Sequence, residues 1–147
     1  MYEKYTRQAL ANRDYRELLG TTIYVFNSNN SFLIENFLNT DFEDEKITWH
    51  TLVEKVSGNL SKIIRKNSDA SSDLMKALDL FDDLTGRRNR IVHSFPVTNK
   101  EGEQILATKD KQNKQYYISK DYMMTFINDN EKLALMLDEI RSNRQKK

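Results

Sequence analysis

The chain of 147 residues has no cysteine, one proline (Pro96), four glycines and two histidines. Without cysteine there are no disulfides and no thiolate zinc sites, a usage compatible with a reducing compartment. So little proline and glycine argues against a turn-rich all-β fold. No stretch approaches the run of about 18 apolar residues that a membrane span requires. The N-terminal residues carry no apolar signal region. These absences predict a cytoplasmic protein with no membrane association. His50 and His93 are too few and too far apart to form a metal cluster, so neither a metal nor another cofactor is expected.

What is present is helical periodicity. Leu19, Ile23, Phe26, Asn30, Leu33 and Phe37 step by three and four residues, which predicts a long helix over 13–39. Asn30 interrupts its apolar stripe. Thr48 is placed to cap a second helix running to Lys66, with Trp49, Leu52, Val53, Val56, Leu60, Ile63 and Ile64 inward and His50 on the polar side. Residues 67–72 read as a loop and cap. A third helix then starts near Asp73, with Leu74, Ala77, Leu78, Phe81, Leu84, Ile91, Val92 and Phe95 on one face. Pro96 disfavours helical geometry at Phe95 and should end this helix near Ser94.

Beyond Pro96 two short β-prone stretches, around a polar segment at 109–114, predict a hairpin over about 103–118. Ser119 can cap a last helix with Tyr122, Phe126, Ile127, Leu133, Leu137 and Ile140 inward. A basic tail at 141–147 is expected to fray. The fold class is therefore all-α: one domain over 1–147, an up-and-down bundle of about four helices with a β-hairpin before the last.

The net charge of +1 is unevenly spread. Residues 41–84 sum to −4 and residues 85–120 to +5, a local field that suits a polyanion. Inside the basic segment lies Arg88-Asn89-Arg90-Ile91-Val92-His93. At roughly 100° per residue Arg88 falls in the middle of the apolar stripe, Asn89 on its flank, and Arg87 and Arg90 away from it. His93 follows Asn89 by one turn, so their side chains are neighbours. A cation aimed into an apolar face is costly unless something pairs with it. Arginine matches phosphate well, and histidine exchanges protons near neutrality. Two plainer roles compete: a structural ion pair for Arg88 and a simple helix-end position for His93.

These residues resemble the HEPN superfamily (higher eukaryotes and prokaryotes nucleotide-binding domains), whose signature is R-x4-6-H with a polar residue, often Asn, after the arginine. Arg88-Asn89-x3-His93 is similar to it. Arg87 also fits the spacing, but Arg88 faces inward and precedes Asn89. The order of helices, hairpin and final helix is similar too. The resemblance implies a metal-independent endoribonuclease acting by transesterification, in toxin–antitoxin or antiphage defence systems. Arg88, Asn89 and His93 would be catalytic: His93 as general acid/base, Arg88 on the scissile phosphate, Asn89 orienting either. Asn30, Arg87, Arg90 and Ser94 are the supporting candidates, with Asn30 expected within reach of Arg88 or Asn89. The implied partners are RNA, a second copy of the chain in a homodimer, and a cognate antitoxin protein. The alternative is a catalytically silent helical module that binds a protein or nucleotide. A DNA-binding role is disfavoured by the near-neutral net charge.

Overall fold

The computed structural model describes residues 1–69 and 73–145. It is mainly helical: α1 (Arg13–Leu38), α2 (Trp49–Val53), α3 (Ser57–Lys66), α4 (Asp73–Val92) and α5 (Lys120–Gln145). Between α4 and α5 lies an antiparallel sheet of β1 (Phe95–Thr98), β2 (Gln104–Lys109) and β3 (Gln115–Ile118), in that spatial order. A single 3-10 turn, Glu3–Tyr5, precedes α1. Among the described residues no helix is long and apolar enough to cross a membrane.

The long helices pack through their apolar stripes. Phe26 of α1 is the hub, stacked on Phe81 of α4 (centroids 5.5 Å apart) and near-parallel to Phe126 of α5 (6.2 Å). Leu33, Ile34, Phe37, Leu78, Leu84, Leu133 and Leu137 are fully buried around them. The stripe of α1 sits slightly off the expected one. Two amides of α1 are buried, Asn29 and Asn36, and it is Asn29 rather than Asn30 whose Nδ2 donates to both the backbone oxygen (2.8 Å) and Oδ1 (3.0 Å) of Asn130 on α5. Asn30 is half-buried on the flank facing α3. On α4, Val92 is 53% exposed rather than inward. Thr85 is buried instead, its hydroxyl donating to the Phe81 carbonyl at 2.8 Å.

The expected second helix is two helices. Thr48 does cap the first, in a reciprocal capping box with Thr51. α2 then closes with a tight i→i+3 bond, Lys55 N to Leu52 O, and Val56 is extended before α3 begins. The break turns Ser57, Leu60, Ser61 and Ile64 into the core and leaves Trp49, Val53 and Val56 exposed. Periodicity at three- and four-residue steps runs through such a break unchanged, which is why Trp49, Val53 and Val56 were expected inward.

The hairpin expected over 103–118 is the β2–β3 pair of a three-stranded sheet, so the all-α description gives way to a mainly helical one. β1 is the addition: Phe95 pairs with Ala107 and Thr98 with Gln104. Pro96 occupies an edge strand, where its missing N–H is tolerated. The two sheet turns share one design. Asn99 Oδ1 accepts from the backbone N–H of Glu101 and Glu103, with Gly102 at φ +79°. Asp110 Oδ1 accepts from Gln112 and Lys114, with Asn113 at φ +63°. Glycine and asparagine are the residues that tolerate this left-handed geometry. Tyr15 of α1 fastens the sheet to the bundle: its hydroxyl donates to the Ile118 carbonyl (2.5 Å) and accepts from Leu106 N (3.0 Å).

Ser119 caps α5, accepting from Tyr122 N at 3.0 Å. The tail does not fray over 141–145. Arg144 Nη1 donates to the Asn36 carbonyl at 3.1 Å and Arg141 lies over the Phe32 ring, so side chains that read as solvated charge bind α1. The remainder of the expected tail, 146–147, and part of the expected loop and cap, 70–72, lie outside the described residues.

Candidate functional site

Three elements bring the motif's polar groups together: the C-terminal end of α4, the middle of α1 and the first residue of α3. The Arg88 guanidinium lies over the face of Phe26, 4.7 Å from the ring centroid, so the cation caps the aromatic core. Its Nε donates to Asn89 Oδ1 at 3.1 Å and its Nη2 to Ser57 Oγ at 3.5 Å. The Ser57 hydroxyl in turn donates to Asn30 Oδ1 at 3.2 Å. Asn30 thus reaches Arg88 through one serine.

Among the described residues no carboxylate forms an ion pair with Arg88; its partners are an amide, a hydroxyl and a ring. Burial lowers its pKa from the ordinary arginine value. The guanidinium stays charged all the same, so the direction expresses a desolvation cost that no anion among the described residues offsets. A half-buried cation without a counter-ion is a candidate position for an anion.

Arg87 differs in its charge partners. It is held by Asp83 and Asp129, both at 2.8 Å, and lies over the Phe126 ring at 5.8 Å. The expectation that it points away from the core is corrected: it packs on α5, because α4 is covered on that side too. Burial alone would raise the Asp129 carboxyl, but hydrogen bonds from Arg87 and Lys132 outweigh it and hold it below its usual value. Burial, with Tyr116 beside it, raises the Tyr122 phenol to about 12; this hydroxyl donates to the Arg87 carbonyl at 3.4 Å. Arg87 is a structural arginine.

His93 lies one residue past α4. Its backbone N–H makes the closing bond of the helix, to Asn89 O at 3.0 Å. The residue is exposed, and among the described residues no hydrogen bond joins its imidazole to Arg88 or Asn89. The His93 N–H to Asn89 O bond keeps the two residues one helical turn apart, while the Asn89 amide oxygen accepts from Arg88. Ser94 donates from Oγ to the Ile91 carbonyl at 2.6 Å and finishes the helix end. Arg90 Nη1 donates to the Lys109 carbonyl at 3.0 Å, tying the motif helix to the sheet.

Sequence reasoning missed Phe26 as the ring beneath Arg88, and Ser57. Phe26 was read only as core. Ser57 was hidden inside a helix that is in fact broken just before it. The serine–glycine pair Ser57-Gly58, poor in helix propensity, is the sequence signal that could have marked the break. A separate cavity of about 370 Å³ opens at the far end of α4, lined by Thr40, Asn67, Leu74, Ile140 and Arg144 among others; it is remote from the motif.

One chain therefore presents a cation, an amide and an imidazole on one helix end, with the imidazole solvent-facing and unconnected to the cation. The arrangement can receive a phosphate and can exchange a proton, but within one chain the two functions are not joined. Comparison with protein-family models, with curated proteins and with solved structures returned no match.

Proposed function

We propose that the protein is a metal-independent endoribonuclease of the HEPN type, acting as a toxin or antiphage effector. The observation that carries the reading is Arg88: a half-buried guanidinium that, among the described residues, has no carboxylate partner, five residues before an exposed histidine. Arg87 and Arg65 each hold two carboxylates, while Arg88 instead lies over the Phe26 ring. In the mechanism His93 takes the proton from a ribose 2′-hydroxyl, the oxygen attacks the adjacent phosphorus, the P–O5′ bond breaks and the 5′-oxygen takes up a proton from water, while the imidazolium returns its own proton to solvent. The products are a 2′,3′-cyclic phosphate and a 5′-hydroxyl. Arg88 stabilises the charge that builds on the phosphate, and Asn89 with Ser57 and Asn30 holds the guanidinium in place.

The gap between His93 and Arg88 supports a homodimer in which two motifs share one cleft, so that the imidazole of one protomer serves a phosphate beside the other. Val92, one turn beyond Arg88, and Val56, next to Ser57, are exposed apolar side chains around the site, and a second copy would cover them. The same gap is what favours the second reading, a non-catalytic module. Cleavage of RNA by purified protein in EDTA, beside His93→Ala, separates the two. Full loss in His93→Ala with cyclic phosphate ends is the expected result. Cleavage that survives in His93→Ala, or that requires a divalent metal, would overturn the mechanism.

A further inference from the structure

We propose that the β2–β3 hairpin is the substrate-holding element of this site. It takes the single-stranded RNA beside the scissile phosphate, with a base stacked on Tyr117 and phosphates on Lys109, Lys111 and Lys114. The proposal rests on the ribonuclease reading and names how its substrate is held.

Four observations carry it. First, Arg90, Lys109, Lys111 and Lys114 form no ion pair among the described residues, whereas neighbouring Arg87 and Lys120 are paired with acids. The one acid of the turn, Asp110, turns its Oδ1 to the backbone N–H groups of Gln112 and Lys114 and forms no ion pair among the described residues. Second, those same bonds, with Asp110 N to Lys114 O (3.0 Å) and Asn113 N to Asp110 O (3.1 Å), fix the turn. The lysines therefore ride on an ordered backbone, which lowers the entropy lost on binding. Third, the Arg90–Lys109 bond holds this turn against α4 three residues before His93.

The fourth observation is an aromatic ring in the right place. Side chains alternate faces along a strand. The pairings Phe95–Ala107, Ala107–Tyr117 and Lys109–Gln115 therefore put Phe95, Ala107, Tyr117 and Lys109 on one face of the sheet. Tyr117 is 45% exposed and its cross-strand partner is only an alanine. This row begins at Phe95, two residues after His93, and crosses two strand spacings, roughly 10 Å. Exposed aromatics interleaved with unpaired cations are how proteins hold single-stranded nucleic acid, because unstacked bases offer a π-face and duplex bases do not. An acidic protein partner would use the lysines but have no need of the ring.

The test measures binding of a single-stranded RNA made uncleavable by 2′-O-methyl groups, by fluorescence anisotropy at several salt concentrations. Because binding is read without cleavage, an inactive enzyme leaves the test standing. The double variant Lys111→Gln/Lys114→Gln should weaken binding and flatten the plot of log affinity against log salt by about 1.4, at about 0.7 for each lost phosphate contact. Tyr117→Ala should weaken binding roughly 5- to 150-fold with the salt slope unchanged, and Tyr117→Phe should restore it. Both lysines are exposed, so the double variant reports on binding even if Tyr117→Ala folds poorly. Unchanged affinity and slope in the double variant would overturn the proposal. So would polyglutamate binding as tightly as RNA with no dependence on Tyr117, which would assign the hairpin to an acidic protein. Equal loss of duplex and single-stranded binding in Tyr117→Ala would remove the stacking role.

Discussion

Arg88→Met separates an arginine kept for function from one kept for structure. The substitution removes the cation over Phe26, worth about 0.5–2 kcal/mol, and the bonds to Asn89 and, longer at 3.5 Å, to Ser57, together worth about 0.5–1.5 kcal/mol net. Against these stand two gains and one avoided cost. A methionine thioether over the same ring restores about 0.3–1.5 kcal/mol. The desolvation of an unpaired guanidinium, which lowers the Arg88 pKa, disappears. No buried group is orphaned, since Ser57 still donates to Asn30 and the half-buried Asn89 amide can turn to water. The losses sum to about 1–3.5 kcal/mol, of which the thioether returns about 0.3–1.5 and the desolvation relief offsets much of the remainder, so stability should stay within about 1 kcal/mol of wild type. For a chain of this size that is a change in Tm of at most a few degrees, at about 2–4 °C per kcal/mol. Urea and thermal unfolding followed by circular dichroism measure it, and RNA cleavage by the same preparation should fall at least about 100-fold. A destabilisation above about 2 kcal/mol would refute the reasoning, because it would mean that the guanidinium holds the bundle together.

Two further outcomes follow from the same packing. Phe81→Ala removes one ring of the stack with Phe26, both fully buried, and should cost about 3–5 kcal/mol; chemical denaturation checks this, and a loss below about 1.5 kcal/mol would mean the stack relaxes freely. The Asp129 carboxyl is held below its usual value, so its folded-state proton affinity is lower than in the unfolded chain. Its contribution to stability is present above the ordinary carboxylate range near pH 4 and is lost as the pH falls through the lowered value. Asp129→Asn should therefore be less stable than wild type at pH 7, with the difference shrinking below about pH 4, as measured by unfolding at each pH.

How much of this was legible in the sequence can be seen at particular residues. α1 over Arg13–Leu38 and α5 capped by Ser119 follow from local signals, because a long amphipathic stripe and a capping side chain need no distant partner. The two sheet turns are also local, written in Asn99, Gly102, Asp110 and Asn113, although Pro96 as a helix stop concealed that a strand begins at Phe95. The run Arg88-Asn89-x3-His93 is visible as a string, and the inward position of Arg88 follows from its place on the stripe.

Tertiary structure alone decided the rest. Whether Arg87 or Arg88 goes without a carboxylate depends on α5 presenting Asp129 to one of them, while among the described residues no element presents an acid to the other. Whether Asn29 or Asn30 is the buried amide depends on which flank of α1 meets α5 and which meets α3. The break before Ser57 is a backbone event that leaves hydrophobic spacing untouched, and it is what delivers the serine to Arg88. Spacing along a chain sets which residues share a face. It carries no information about what a distant segment places opposite that face, and the charge state, burial and partners of Arg88 are all properties of that opposite side.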